Sequence, residues 1–106
     1  MHKEYHKLVR DNIPRRMVRD GSKIKFEVLS DTNLYQLELK NRVLSELDAL
    51  DNNQSVDNLA DILEAVKALA ELQGLSWTDV INWQETKRQV YGGFSGRMYL
   101  MSEDTI

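Results

Sequence analysis

The chain has 106 residues, a formal net charge of −3 and no cysteine, and it lacks an apolar run near the ~18 residues that a membrane span needs. This composition excludes disulfides and thiolate metal sites, and it gives no electrostatic case for a nucleic acid polymer or a membrane as partner. We therefore expect a single domain over residues 1–106, soluble and cytoplasmic, with no signal peptide. Because so short a chain exposes apolar helix faces, we also expect a homodimer or a homotetramer.

The first third of the chain predicts one short helix and one short strand. Pro14 predicts extended backbone at Ile13 and a short N-terminal helix to about Val18. After the turn signal "DGS", the stretch "KIKFEVL" at 23–29 alternates polar and apolar residues, which predicts a strand. Near the other end of the chain, "GRMYLM" at 96–101 has the composition of a second strand-like segment.

Three longer helical patterns lie between these segments, each with a polar capping residue before it. The predicted helices run from the capping pair Ser30-Asp31 to the break "DNNQ" at 51–54, from Ser55 to about Gln73 before Gly74, and from Ser76 to about Val90 before Gly92-Gly93. The prediction is an all-α fold, a small helical bundle of three main helices with a short N-terminal helix and two short strand-like segments.

Two acids take unusual positions on the first two long helices. Glu46 lies at the margin of the apolar stripe that contains Leu39, where a carboxylate is costly unless it is paired. Asp61 lies at the seam of the second helix, beside Ala65, at the edge of the stripe formed by Leu59, Ile62, Leu63, Val66 and Leu69. Antiparallel helices joined by a short loop would let the two acids meet.

Two interpretations of these acids stay open on the pattern alone. They are either part of a divalent cation site or a solvated or ion-paired pair, since Arg42 stands one turn before Glu46 and could pair with it locally. The other acids of the region, Asp48, Asp57 and Glu64, are predicted on solvent-exposed faces.

Three stretches carry a resemblance that covers nearly the whole chain in order. They are "YHKLVRDNIP" at 5–14, "NLADILEAVKALAELQGLSWTDV" at 58–80 and "KRQVYGGFSGRMYL" at 87–100. Together they resemble the all-α nucleotide pyrophosphohydrolases, the phosphoribosyl-ATP pyrophosphohydrolase-like and MazG-like proteins, in the subgroup that starts near a "KLVRDxIP" motif. The resemblance implies a helical enzyme that uses Mg²⁺ or Mn²⁺ to cleave a nucleoside triphosphate into a monophosphate and pyrophosphate.

The family's metal-binding carboxylates follow an "EExxE" run and an "ExxD" run, which fall here at 45–49 and 58–61. The resemblance implies that Glu46 and Asp61 are the metal ligands and catalytic residues. Ser45, Ala49 and Asn58 stand where the family has glutamates, and neutral or absent oxygens bind a hard cation far more weakly than carboxylates do. The sequence thus keeps the scaffold and reduces the metal cage from five acids to two.

The polar elements of the two terminal motifs match the family more fully. The resemblance implies that some of them line the phosphate side of a pocket, namely Lys7, Arg10, Asp11, Lys87 and Arg97. An alternative is that Arg10 and Asp11 form an ion pair that ties the N-terminal segment to the bundle. Three functions follow as hypotheses: a metal-dependent pyrophosphohydrolase of weak activity, an impaired protein that binds or sequesters a nucleotide or another phosphorylated molecule, or a purely structural subunit.

Overall fold

The computed structural model describes residues 1–52 and 55–105, and leaves the side chains of residues 51 and 52 undescribed. Within this part of the chain the fold consists of four helices, which confirms the predicted all-α class. They are α1 (Ile13–Arg19), α2 (Thr32–Asn52), α3 (Val56–Leu72) and α4 (Trp77–Tyr91). None of these helices is long and apolar enough to cross a membrane.

The three long helices begin at the polar residues that the sequence indicated. The side-chain oxygens of Asp31, Ser55 and Ser76 accept hydrogen bonds from backbone N–H groups of the following first turns, at 2.9, 3.1 and 3.1 Å. Each bond satisfies a helix-end donor that would otherwise lack a partner. Gly92 ends α4 with a φ of 86°, a conformation that glycine adopts without the steric cost of a Cβ atom.

Two local predictions are wrong or only partly tested. Helix α1 begins at Ile13 itself, so the backbone before Pro14 is helical rather than extended, and the turn starts at Asn12. Helix α2 continues through Asn52, so the break predicted at 51–54 starts later than expected, and positions 53 and 54 lie outside the described residues.

The two predicted strands are also absent from the described residues. The alternating stretch at 23–29 is irregular, and Phe26 and Val28 are 64% and 85% exposed. A strand exists only through hydrogen bonds to a neighbouring strand, and the stretch at 96–101 does not supply one. Alternation without a partner strand therefore leaves this stretch irregular.

Helix α2 packs along α3, and α3 makes a smaller contact with α4. The interior is small, since the buried apolar residues in the described part of the chain are Leu39, Ala65 and Ala70. Helix α3 faces α2 with its alanine-lined seam, whereas the bulky side chains of Leu59 and Leu63 are more than half exposed. The radius of gyration is 18.5 Å, against about 13 Å for a compact domain of this length.

Candidate functional site: an ion-paired acidic couple

Glu46 of α2 and Asp61 of α3 come together where the two helices cross. Contacts join Arg42 to Asp61 and Asn58 to Glu46, so the start of α3 lies beside the end of α2. This register is antiparallel, as the short connection requires. The sequence prediction that these two acids meet across the helix pair is confirmed.

Arg42 bridges the two acids with a single nitrogen. Its Nη2 lies 3.1 Å from Glu46 Oε1 and 3.6 Å from Asp61 Oδ2. The pairing of Arg42 with Glu46 at i,i+4 was predicted from the sequence, but the contact across the helix pair to Asp61 was not. Only 19% of the Arg42 side chain and 10% of the Glu46 side chain are exposed, so this pair is shielded from solvent far more than a surface ion pair.

A second arginine reaches Asp61 from the N-terminal segment. Arg10 contacts Asp61 Oδ1 through its Nε at 2.9 Å and its Nη2 at 2.8 Å, and the same Nη2 lies 3.4 Å from the carbonyl oxygen of Ala60. Arg10 thus ties the N-terminal segment to α3, but through Asp61 and not through Asp11 as the sequence suggested. Asp11 lines a separate groove beside α1.

Asn58 gives Glu46 a second partner, from α3. Its Nδ2 donates a hydrogen bond to Glu46 Oε2, which a glutamate at position 58 would not do at neutral pH. The amide therefore adds a donor to a carboxylate that is only 7% exposed as a residue. With asparagine and not a third acid at this position, the described contacts form a paired cluster of balanced charge.

We call Arg10, Arg42, Glu46, Asn58 and Asp61 the paired cluster. Its two arginines and two acids balance in charge, and no group of three or more acids or histidines that could hold a metal is found among the described residues. With Arg42 Nη2 between them, the two carboxylates do not fit a divalent cation, which needs oxygens on all sides.

The remaining acids of the region behave as the sequence predicted. Asp48, Asp57 and Glu64 are all exposed. Ser45 is also exposed, so neither it nor Asp48 adds to the set of oxygens at the paired cluster. Glu46 and Asp61, the two acids that the family resemblance singled out, are thus the ones that the fold brings together.

A shallow groove of about 350 Å³ opens on the exposed side of Arg10. It runs between the N-terminal segment and the junction of α3 with α4, and its lining includes two cations, one carboxylate and one aromatic side chain. The lining residues are Arg10, Ala60, Leu63, Glu64, Lys67 and Trp77. Lys67 and Trp77 lie within the stretch at 58–80 but were not singled out as binding residues from the sequence, since they join Arg10 only through the fold.

The other basic residues predicted for the site lie elsewhere. Lys7 is exposed, with its Nζ 5.7 Å from the centre of the Tyr5 ring. Beside it, a hydrogen bond from His2 and the charge of His6 hold the pKa of Glu4 below its ordinary value.

Lys87 and Arg97 are exposed on α4 and on the turn that follows it. Arg97 has a φ of 58°, in the left-handed region that side chains with a Cβ disfavour. Within the described part of a single chain, Lys87 and Arg97 make no contact with the paired cluster.

Comparison with protein-family models, with characterised proteins and with solved structures finds no significant match to this chain.

Proposed function

We propose that this protein binds a nucleotide or a related phosphorylated small molecule without metal-dependent catalysis. The observation that carries the proposal is that Arg10 and Arg42 neutralise Glu46 and Asp61, the two acids that the family resemblance assigns to metal binding. A cluster of balanced charge no longer repels an anionic ligand. The phosphohydrolase-like scaffold therefore supports anion binding better than cation-assisted hydrolysis.

The groove beside Arg10 supplies the chemistry for such a ligand. A guanidinium has five N–H donors, and the described contacts of Arg10 use its Nε and Nη2. Half of the Arg10 side chain is exposed, and Lys67 lies in the same groove. Phosphate oxygens suit both cations, and Trp77 offers an aromatic face to a base.

Calorimetry with a panel of nucleotides in EDTA tests this function. We expect binding by the wild-type protein and a loss of about tenfold in affinity for Arg10→Ala or Lys67→Ala, because each change removes one charged donor. Arg88→Ala is the matched control, since Arg88 is an exposed arginine of α4 whose pairing with Glu85 lies at 3.8 Å. A folded sample that binds none of the panel would contradict the proposal.

A second candidate is the pyrophosphohydrolase itself, with Mg²⁺ or Mn²⁺. It is favoured by one observation: acids from two different helices converge on one point, the Nη2 atom of Arg42. Metal-dependent hydrolysis at this point would require Arg42 to move aside.

Release of pyrophosphate from nucleoside triphosphates, with and without Mg²⁺, tests the enzyme. This candidate expects Mg²⁺-dependent release that disappears in Asp61→Asn, because that variant removes one of two carboxylates. Asp48→Asn, which alters an exposed acid outside the paired cluster, is the control and should keep the wild-type rate. Equal turnover in Asp61→Asn and the wild type would exclude Glu46 and Asp61 as the catalytic pair.

We also propose that the chain functions as a homo-oligomer, at minimum a dimer. Its accessible surface is 10024 Å², whereas a compact monomer of this mass exposes about 6,000 Å². The apolar stripe of Leu59, Leu63 and Val66 on α3 is part of this excess, with exposures of 55%, 56% and 37%. Stable dimers bury roughly 1,600 Å² or more in total, which the excess can supply.

Light scattering of Leu59→Glu, a change in the same stripe but outside the groove beside Arg10, tests the oligomer. We expect the wild-type protein to show at least the mass of a dimer and the variant to shift towards the monomer, because a charge in the centre of an apolar interface is costly. Gln84→Glu adds the same charge at an exposed position of α4 and should leave the mass unchanged. A wild-type protein that is monomeric at high concentration would refute the oligomer.

A further inference from the structure

All four carboxylate oxygens of Glu46 and Asp61 face a donor from the protein itself. Arg42 Nη2 faces Glu46 Oε1 and Asp61 Oδ2, Asn58 Nδ2 donates to Glu46 Oε2, and Arg10 donates to Asp61 Oδ1. The three donors come from the N-terminal segment, from α2 and from α3. Each carboxylate oxygen of the two acids therefore has a donor from the same chain.

We propose that Arg42 acts as a built-in cation, and that it takes between Glu46 and Asp61 the position that a divalent cation would need. A Mg²⁺ or Mn²⁺ ion bound to both acids would stand about 2.1 Å from their oxygens, in space that the guanidinium fills. The positive charge of Arg42 also opposes a second cation there. In the wild-type protein Glu46 and Asp61 accordingly do not bind these ions, and the reason is the position of Arg42.

This inference goes beyond ligand binding, because it states that one residue, Arg42, determines whether the two acids bind a metal ion. It predicts a gain of function, which a merely structural ion pair would not produce. Removing Arg42 leaves Glu46 Oε1 and Asp61 Oδ2 without the cation that they share, and a divalent cation can then take its position. The same change at an arginine outside the paired cluster creates no such position.

Titration with Mn²⁺ alone, followed by electron paramagnetic resonance of the free ion, tests the inference without any nucleotide. We expect no specific binding to the wild type, and an affinity about tenfold or more higher in Arg42→Met, since one opposing charge is gone. The double variant Arg42→Met/Asp61→Asn should lose this affinity again. Arg88→Met is the control and should behave as the wild type.

Wild-type Mn²⁺ binding that is lost in Asp61→Asn would overturn the inference, and so would a folded Arg42→Met that gains no affinity. If Arg42→Met folds only when Mn²⁺ is present, a melting temperature that rises with Mn²⁺ in this variant and not in the wild type supports the inference. If the variant does not fold at all, the test is made on the wild-type protein by NMR, through the broadening that bound Mn²⁺ causes in nearby signals. Broadening of the Glu46 and Asp61 signals would overturn the inference, and its absence would support it. Because no nucleotide is present, failure here leaves the proposed ligand binding untouched.

Discussion

Replacing Arg42 with methionine is expected to lower the free energy of unfolding by about 3 kcal/mol in EDTA, the range seen when one partner of a buried ion pair is removed. The reason is that Glu46 is only 7% exposed and would be left with Asn58 as its described partner. Asp61 would retain Arg10 and contributes less to the loss. Urea unfolding followed by circular dichroism at neutral pH measures the difference.

Two controls separate the pairing from the loss of a long side chain. Arg88→Met removes an arginine that is 68% exposed and should change stability by less than about 0.5 kcal/mol. The double variant Arg42→Met/Glu46→Gln removes both charges of the shielded pair and should recover part of the stability. Equal losses in Arg42→Met and Arg88→Met would show that the paired cluster contributes nothing to folding.

The second large effect is expected at Leu39, the most completely buried apolar residue described. It is 3% exposed, on the face of α2 that packs along α3. Leu39→Ala should cost about 3 kcal/mol, because it removes buried methylene groups and leaves a cavity that a pair of helices closes only in part. The midpoint of urea unfolding is expected to fall accordingly, with an unchanged slope.

Leu37→Ala is the matched control, since it makes the same chemical change on the same helix at a residue that is 51% exposed. It should cost less than half as much, because much of its side chain already contacts solvent. If both variants lost equal stability, the contact of α2 with α3 described by the structure would not be the core of the folded protein.

The sequence predicted the helices well because their start signals are local. A serine or aspartate that accepts a hydrogen bond from the next turn needs no information from the rest of the chain, as Asp31, Ser55 and Ser76 show. The strands at 23–29 and 96–101 failed for the opposite reason. Alternation describes what a strand would look like once paired, and pairing is not local.

The site was predicted in part for similar reasons. Helical geometry alone placed Glu46 and Asp61 at the margins where two helices meet, and it placed Arg42 beside Glu46. The contact of Arg10 with Asp61 joins residues 51 positions apart, and no pattern along the chain foretold it. Lys67 and Trp77 became candidates only when the fold placed them in one groove with Arg10.

The apolar stripe of α3 shows that periodicity can identify an apolar face of a helix without identifying the element that packs against it. Leu59, Leu63 and Val66 were correctly placed on one side of the helix, yet α2 packs against the neighbouring seam of small residues. Ala65 in this seam is buried, and Arg42 of α2 contacts Asp61 one turn before it on α3. The packing of α2 and the pairing of Arg42 with Asp61 therefore both use the seam of small residues and not the bulky stripe.

The elongated shape has a practical consequence for how the molecule moves in solution. A single chain with extents of 65 × 34 × 24 Å experiences more frictional drag than a sphere of the same mass. It will diffuse more slowly and leave a sizing column earlier than its 12.3 kDa would suggest. On a sizing column alone, an elongated monomer would thus be taken for a compact dimer. Only a measurement of mass that does not depend on shape distinguishes the two.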